Sequence, residues 1–459
     1  MYGSSFYKYF LFIHFYRKIM EKFFERMKDL LGNEYDDFLK FYNSGKFYRG
    51  LRVNTLKCSA DKLKNLIGFE LERTPFCPEG FYIPDEVESI GNSPLHHAGA
   101  FYVQEPSAAS AVEMLGVQAG DRVLDLCAAP GGKSTQIAAK LNSKGLLWSN
   151  EIVKQRSIIL LSNIERMGIR SAVVSNSRPD LLCDRLSGYF DRVLVDAPCS
   201  GEGMFRKNLE AESEWSVEHV KSCAERQLKI LNSAKNALRG GGELVYSTCT
   251  FSNEENEGVI TEFIKQNPDF EIIDSKVNFG RPTLKYARRI FPMDGGEGHF
   301  AVKLRKNSDA VSVPALRKRD NKIPDIVWDF YDGNFINRPF GENVEIIGNN
   351  IFIIPENLPD TKGLNILRKG VLLGEIKKNR IEPHHHAFTA AKVGDCARAV
   401  DFDINSGEIK RFLHGEEINI ESDVKGYTAV CVNGITTGFG KASDFKLKNK
   451  YPKGLRTLK

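Results

Sequence analysis

Strand-like and helix-like segments alternate along the chain between residues 95 and 305. A parallel strand can be joined to its neighbour only by a long crossover, usually a helix, so this alternation is typical of a doubly wound α/β fold with a mainly parallel sheet. The five strands that we predict within it are Arg122 to Leu126, Leu146 to Asn150, Ala172 to Ser175, Arg192 to Val195 and Glu243 to Thr248.

The chain is too long for one hydrophobic core, which rarely extends beyond about 250–300 residues, so two or three domains are expected. We predict an aromatic extension at 1–19, an α+β cap domain at 20–94, the α/β domain at 95–305, a basic linker at 306–322 and a β-rich region at 323–459. No run approaches the roughly 20 apolar residues of a membrane span. The net charge of +5 permits a nucleic-acid partner without requiring one.

The first predicted strand runs into a turn of small residues, Cys127-Ala128-Ala129-Pro130-Gly131-Gly132-Lys133, that opens a helix. Small residues let a bound molecule approach backbone N–H groups, and a helix start favours a carboxylate or phosphate. A nucleoside-triphosphate loop would need glycine where Cys127 stands. The next strand ends at Glu151, and a carboxylate there can accept hydrogen bonds from both ribose hydroxyls. A nucleotide-type cofactor is therefore predicted.

Two later strands carry one cysteine each at their ends, Cys199 in Asp-Ala-Pro-Cys-Ser-Gly and Cys249 in Ser-Thr-Cys-Thr. Because open α/β sheets bind ligands at the carboxyl ends of their strands, both thiols and Asp196 are expected on one face. Methylation of carbon 5 of cytosine needs a thiolate that adds to carbon 6 and a second group that lets the carbon-5 proton leave. Asp196 fits as the partner of the ring nitrogen or exocyclic amine. Which cysteine attacks stays open.

The other cysteines and the histidine run indicate no metal site. No two cysteines have a Cys-x-x-Cys spacing, which argues against structural zinc and a disulfide framework and suits a reducing cytoplasm. Cys183, Cys223 and Cys431 are interpreted as inert core residues. The run His384–His386 lacks partner ligands at a metal-binding spacing and is interpreted as a solvated tract.

Three longer motifs carry a resemblance to a known family: Ala-Ala-Pro-Gly-Gly-Lys-Ser at 128–134, Asp-Ala-Pro-Cys-Ser-Gly-Glu-Gly-Met-Phe-Arg-Lys at 196–207 and Tyr-Ser-Thr-Cys-Thr-Phe-Ser-Asn-Glu-Glu-Asn-Glu at 246–257. From residue 20 to 459 the chain resembles the Sun/Fmu-type RNA cytosine carbon-5 methyltransferases. Within them it is most similar to the bacterial RsmF type, which methylates cytosine in small-subunit (16S) ribosomal RNA. The segments 101–107, 296–300 and 448–456 carry this closer resemblance.

The resemblance implies a seven-stranded methyltransferase core, an RNA-binding N-terminal cap and a C-terminal PUA-like RNA-binding module. It also implies S-adenosylmethionine as cofactor, held against Cys127 to Lys133 with Glu151 on the ribose. Cys249 would be the nucleophile, Cys199 would be needed for product release, and Asp196 would lie near the methyl-transfer site.

Two further points follow from the resemblance. Arg206 and Lys207 are candidates for phosphate contacts, with a solvated basic pair as the alternative. Many relatives have an aspartate after the third strand to meet the adenine amine, whereas this chain reads Ser175-Asn176-Ser177 there. The adenine contact is therefore not carried over, and Asn176, Ser177 or backbone groups are the alternatives.

The expected partner is ribosomal RNA or the small ribosomal subunit, in the cytoplasm, without membrane, DNA or a stable protein partner. One alternative keeps the chemistry and changes the substrate to transfer RNA. Another is a catalytically silent RNA-binding assembly factor, against which the retention of Asp196, Cys199 and Cys249 argues. DNA methyltransferases attack with the cysteine of their Pro-Cys motif and do not need the second one.

Overall fold

The computed structural model describes residues 20–308 and 322–457. The aromatic extension at 1–19, most of the predicted linker and the last two residues lie outside the described residues. None of the helices within the described ranges combines the length and apolar character that crossing a membrane requires.

The N-terminal part combines helices with a small antiparallel sheet of order β2-β1-β3. Its elements are α1 (20–31), α2 (Tyr35–Asn43), β1 (Gly50–Val53), α3 (Ala60–Ile67), β2 (Gly80–Tyr82), α4 (Pro94–His97) and β3 (Phe101–Val103). Local signals set the limits of α3, because the Ser59 side chain accepts a hydrogen bond from the Lys62 N–H and Gly68 ends the helix with a left-handed φ of 82°. The sheet continues past residue 94 through β3, which pairs with β1.

The central part alternates strands and helices as predicted. Its elements are α5 (Ser110–Leu115), β4 (Arg122–Asp125), α6 (Gly132–Leu141), β5 (Leu146–Asn150), α7 (Lys154–Arg166), β6 (Ala172–Ser175), α8 (Pro179–Arg185), β7 (Phe190–Asp196), α9 (Leu209–Glu214), α10 (Val217–Ala237), β8 (Leu238–Thr248), α11 (Val259–Gln266), β9 (Phe270–Ile272), β10 (Arg281–Pro282), β11 (Arg288–Ile290) and β12 (His299–Lys306). All five predicted strands are present. The strand predicted from Glu243 begins earlier, at Leu238, and runs through the glycines at 240–242.

The C-terminal part holds two further sheets, of order β13-β14-β16-β17 and β18-β20-β21-β22-β19. Its elements are α12 (Asp325–Asn334), β13 (Val344–Ile347), β14 (Asn350–Ile353), β15 (Ile366–Lys369), β16 (Val371–Lys377), β17 (Arg380–Pro383), α13 (His385–Ala390), β18 (Ala399–Phe402), α14 (Gly407–His414), β19 (Ile418–Asn419), β20 (Gly426–Val432), β21 (Ile435–Ser443) and β22 (Lys446–Asn449).

The central sheet has ten strands, more than the predicted seven, and one of the additional strands, β15, comes from the C-terminal part. Strands β6, β5, β4, β7 and β8 are parallel, and β12 returns antiparallel to β8. Strand β15 pairs antiparallel with β6, with Ile366 opposite Ser175, and brings the sheet to ten strands. A sheet edge with unpaired peptide groups is thereby covered.

The N-terminal and C-terminal parts share one hydrophobic core. Leu51 and Phe81 of the small N-terminal sheet belong to the same buried cluster as Phe412, Val430 and Leu447 of the C-terminal part. Burial of apolar surface is the main favourable term in association, so this cluster holds the two ends of the chain together beside the central domain.

Candidate active site

The turn between β4 and α6 is held by contacts from the following strand and helix. The Ala128 N–H donates to the Asn150 carbonyl at 2.8 Å, and Arg156 Nη2 donates to the Ala129 carbonyl at 2.8 Å. Gly131 has φ 113°, and a Cβ there would stand 3.2 Å from Leu160 Cδ1. The backbone conformation and the close approach of α7 both favour glycine.

Glu151 is buried rather than solvated. Its side-chain Oε1 accepts from the Val153 N–H at 2.8 Å, and its residue exposure is 3%. Asn176 Nδ2 donates to the carbonyls of Glu151 and Ile152 at 2.7 and 2.9 Å. Asn176, one of the alternatives for the adenine contact, thus lies in the loop after β6 and holds the loop after β5 in place.

Asn365, which lies just before β15, is a residue that sequence reasoning missed. Its N–H donates to Ser177 Oγ at 3.2 Å, and its Nδ2 donates to Asn176 Oδ1 at 3.3 Å. A residue of the C-terminal part thus contacts the loop next to the predicted cofactor site. No motif could have indicated it, because its position depends on the pairing of β15 with β6.

The two predicted cysteines meet. Cys199 Sγ and Cys249 Sγ are 3.2 Å apart, and both are free thiols of intermediate exposure. The hydrogen bond with Cys249 and burial raise the pKa of Cys199 well above its ordinary value. By contrast, Cys183, Cys223 and Cys431 are buried, which confirms the prediction that they are core residues.

The buried carboxyl group of Glu255 connects the two cysteine-bearing loops. Glu255 accepts from the N–H of Ser200 at 3.0 Å and also from its hydroxyl, and the hydroxyls of Ser200 and Thr250 are 2.9 Å apart. Gln227 Nε2 donates to the same carboxyl at 2.7 Å. Ser200 and Thr250 each follow a cysteine, so Glu255 acts as a positioning residue for both thiols.

We expect the Glu255→Gln variant to change how stability depends on pH. Burial raises the pKa of Glu255 from 4.5 to about 7, so between these values the folded protein holds a proton that the unfolded chain has lost. The contribution of protonated Glu255 to the free energy of unfolding is complete below pH 4.5 and is lost as the pH rises through 7. Its upper bound is about 3 kcal/mol. Melting temperatures measured from about pH 5 to 8 should fall more steeply for the wild type than for the variant. Parallel curves would contradict this.

Asp196 lies in a network of opposite charge. Its carboxylate accepts from Lys133 Nζ at 2.8 Å and from Ser247 Oγ at 2.7 Å, and His299 Nε2 is 3.9 Å away. Burial would raise the pKa of Asp196, but Lys133, His299 and these hydrogen bonds bring it below its ordinary value. Asp196 is therefore ionised and can only accept hydrogen bonds. Lys133 is also close enough to Cys249 to interact with it electrostatically.

Arg206 and Lys207 are not a free basic pair, because both form ion pairs with the same carboxylate. Arg206 Nη1 and Lys207 Nζ lie 3.4 and 3.2 Å from the carboxylate of Glu297, which is 1% exposed. The Tyr48 N–H donates to the same carboxylate at 2.7 Å. These bonds attach the loop 44–49 of the N-terminal part to the active-site side of the central domain.

The interpretation of His384–His386 as a solvated tract was wrong. His385 and His386 are 6% and 0% exposed, and the His384 ring caps α13 by accepting from the His386 N–H. His386 contacts the Ile169 carbonyl and the Arg368 guanidinium, both at 3.1 Å. The run is buried because α13 packs between the central domain and the five-stranded sheet.

Among the described residues, one group of potential metal ligands is present, Cys77, Glu79 and Glu113. Glu113 is held by an ion pair with Lys140 at 2.8 Å, and burial raises the pKa of the Cys77 thiol far above its ordinary value. A protonated thiol and a paired carboxylate are poor metal ligands, since the thiolate is the form that binds.

Four family descriptions match successive parts of the chain. "16S rRNA methyltransferase RsmB/F" matches residues 112–305, and "N-terminal domain of 16S rRNA methyltransferase RsmF" matches 19–106. "RsmF rRNA methyltransferase first C-terminal domain" matches 329–390, and "Methyltransferase RsmF PUA domain" matches 399–457. The C-terminal sheets thus correspond to two recognised domains, the second of which is the PUA-like module expected from the sequence.

Individual relatives match over nearly the whole chain. The "Ribosomal RNA small subunit methyltransferase F" of Vibrio vulnificus (strain YJ016) is 34% identical over 461 residues, which cover 95% of this chain and 97% of that protein. The protein of the same description from Erwinia tasmaniensis is 32% identical over 470 residues, with 94% and 96% covered.

Two solved structures share the fold. "Crystal Structure Analysis of Methyltransferase Homolog Protein from Pyrococcus Horikoshii" is 30% identical with a TM-score of 0.55, covering 61% of this chain and 93% of that one. "The crystal structure of NSun6 from Pyrococcus horikoshii with SFG" is 24% identical with a TM-score of 0.56, covering 62% and 98%.

The cofactor is S-adenosylmethionine. By sequence along almost its entire length, and by fold in its centre, the chain belongs to the RsmB/F family of 16S rRNA methyltransferases.

Proposed function

We propose that this protein methylates carbon 5 of cytosine in small-subunit ribosomal RNA, in the cytoplasm. The observation that carries the proposal is the pair of thiols 3.2 Å apart beside the ion pair of Lys133 and Asp196. Carbons 5 and 6 of cytosine are bonded neighbours, so two sulfurs this close can act on the same ring. A methyltransferase that did not form a covalent adduct would have no need for them.

The turn at 127–133 and Glu151 fit the cofactor. The turn offers backbone N–H groups at the start of α6, and Glu151 provides a buried carboxylate at the end of the next strand. When bound, S-adenosylmethionine supplies an electrophilic methyl group on a sulfonium sulfur. Asn176 and Asn365 hold the adjoining loops and are positioning residues for this end of the site.

Cys249 is the proposed nucleophile, in agreement with the family resemblance. The raised pKa of Cys199 keeps that thiol protonated, so it can donate its hydrogen bond to the Cys249 sulfur, and the ammonium of Lys133 favours negative charge there. The Cys249 thiolate adds to carbon 6 of a base turned out of its stack. Because Asp196 is ionised, it accepts from the exocyclic amine, while Lys133 can donate to the ring as charge develops.

Release of the product needs the second thiol. After carbon 5 has gained the methyl group, it still carries its own proton. Once the Cys249 sulfur is bonded to carbon 6, it carries no negative charge and no longer raises the pKa of Cys199 in that way. Cys199 then gives its own proton to water, and its thiolate takes the carbon-5 proton. The electron pair of that C–H bond re-forms the ring double bond, and the bond between carbon 6 and Cys249 breaks with its electron pair returning to sulfur. Glu255 supports this step by holding both loops.

The first experiment measures methyl transfer from labelled S-adenosylmethionine to unmodified small-subunit ribosomal RNA, free and in assembled subunits, with transfer RNA as a third substrate. We expect 5-methylcytosine in the small-subunit RNA and none with the Cys249→Ala variant. Label on transfer RNA alone would favour the transfer RNA alternative. Absence of label on every RNA, despite cofactor binding, would favour the silent assembly factor.

A further inference from the structure

A cleft of about 640 Å³ lies where three parts of the chain meet. Its walls come from segment 91–97 of the N-terminal part, from the end of α7, and from α13, α14 and residues 451–457 of the C-terminal part. Within the described ranges its wall includes no acidic residue, whereas it includes Arg166, Lys410, Arg456 and four histidines. Such an imbalance of charge favours an anionic ligand.

Arg166 is a partly buried cation that lines this cleft. Its Nη1 donates to the carbonyls of His96 at 2.8 Å and Phe101 at 3.3 Å, and its Nη2 donates to Asn163 Oδ1 at 3.0 Å. In the part of the chain that the structure describes, it forms no ion pair with a carboxylate. Burial lowers the pKa of Arg166 to about 10, which reflects the cost of an uncompensated charge.

Lys57 lies near Arg166, outside the lining of the cleft. Its Nζ donates to the carbonyls of Ala98 and Thr436, both at 2.9 Å, which are neutral acceptors. Burial, with a smaller effect from Arg166, lowers the pKa of Lys57 to about 7. Lys57 and Arg166 thus lie close together at one junction, where Arg166 has carbonyl and amide acceptors and the Tyr102 ring, 5.7 Å away, as its neighbours.

The histidines supply neutral hydrogen-bonding groups. His97 Nδ1 is 2.9 Å from Tyr451 Oη, and the His385 ring lies edge-on to the Tyr451 ring with centroids 5.3 Å apart. His385 is 6% exposed, and its Nδ1 has no hydrogen-bond partner among the described residues. The ring of His385 therefore lines the cleft as a neutral group, because burial lowers its pKa to about 3.

We propose that this cleft binds a phosphate group, of an RNA strand or of a free nucleotide. Arg166 would bind its oxygens from the inside, and Lys410 and Arg456 from the rim, since guanidinium groups match phosphate geometry. The assignment of the phosphate to an RNA strand rests on the proposed function. The helix α7 has 13 residues, so Arg166 lies about 20 Å along its axis from the end beside Glu151. An RNA strand bound in this cleft would therefore be contacted at a distance from the reacting base.

The test compares two double variants with the same change of charge. Lys410→Gln/Arg456→Gln alters the rim, and Lys144→Gln/Lys425→Gln alters two exposed lysines outside the cleft. Binding to small-subunit ribosomal RNA is measured at several salt concentrations, with cofactor binding as the check on folding. We expect the rim variant alone to bind RNA about tenfold more weakly. The slope of the logarithm of the binding constant against the logarithm of salt concentration should become smaller by about 0.7 for each single-strand phosphate that the variant no longer neutralises.

A second arm identifies the source of the phosphate. Calorimetry with inorganic phosphate and with cytidine monophosphate is performed on the wild type, both double variants and Arg166→Gln. If the rim variant and Arg166→Gln fail to bind these small anions but keep the wild-type RNA affinity, the ligand is a free nucleotide or phosphate. The proposal is overturned if the rim variant equals its control for every ligand. If the wild type shows these binding differences from the variants but transfers no methyl group to RNA, the result would count against the proposed function alone.

Discussion

The Cys199→Ala variant should accumulate a covalent complex with RNA, whereas Cys249→Ala should form none. Without Cys199 the carbon-5 proton has no nearby base, so the ring stays bonded to Cys249. Each variant should lose turnover by about 10³–10⁴-fold, toward the upper end of what a positioned acid or base contributes. Denaturing electrophoresis of the enzyme with labelled RNA and S-adenosylmethionine separates the complex from free RNA.

Two further variants control this experiment. The double variant Cys199→Ala/Cys249→Ala should form no complex, because the nucleophile is gone. Cys223→Ala, which removes a buried cysteine on α10, should turn over without trapping RNA. A complex with Cys249→Ala and none with Cys199→Ala would reverse the two roles. The sulfur separation of 3.2 Å would accommodate that reversal, so the experiment decides it.

The Asp196→Asn variant should lower kcat by about 10²–10³-fold, the effect of removing one preorganised electrostatic partner. The amide keeps the shape but loses the charge that is paired with Lys133 at 2.8 Å, and it no longer offers a carboxylate to the exocyclic amine of the base. Single-turnover kinetics with saturating RNA and cofactor measure the effect on the chemical step.

The matched control uses the same substitution at the other end of the same strand. Asp191 on β7 forms ion pairs with Arg122 at 3.0 Å and Arg239 at 2.6 Å, far from the cysteines. Asp191→Asn should reduce stability with little change in kcat. An Asp196→Asn enzyme within about threefold of the wild-type kcat would contradict a direct role, since removal of an oxyanion-type partner costs far more.

The strands that lead to the candidate site follow from local sequence, and all of them are present. The strands β5 and β6 have the predicted limits, and β8 ends at Thr248 as predicted, directly before Cys249. Strand β7 ends at Asp196, one residue later than predicted. Apolar periodicity and turn residues act over a few positions, so they can be recognised without knowing the rest of the fold. The assignment of Cys249 as nucleophile came from the resemblance and not from spacing.

The incorrect or missing parts concern contacts between distant segments. Glu297 binds Arg206 and Lys207, so the basic pair is not free. Helix α13 is buried against the central domain, so the histidine run is not a solvated tract. Asn365 contacts Asn176 only because β15 joins the sheet beside β6. Charge and composition predict exposure on average, but they do not reveal which partner a side chain will meet.

The alternating core, the cofactor turn and the two strand ends that carry thiols can be recognised from the amino-acid order, because each depends on neighbours along the chain. Three other features exist only in the folded molecule: the sulfurs lie 3.2 Å apart, Glu255 joins their loops, and Arg166 is partly buried without a carboxylate partner in the described chain. These features arise where residues far apart in sequence are packed together, and there the surrounding charges and hydrogen bonds set the chemistry of each group.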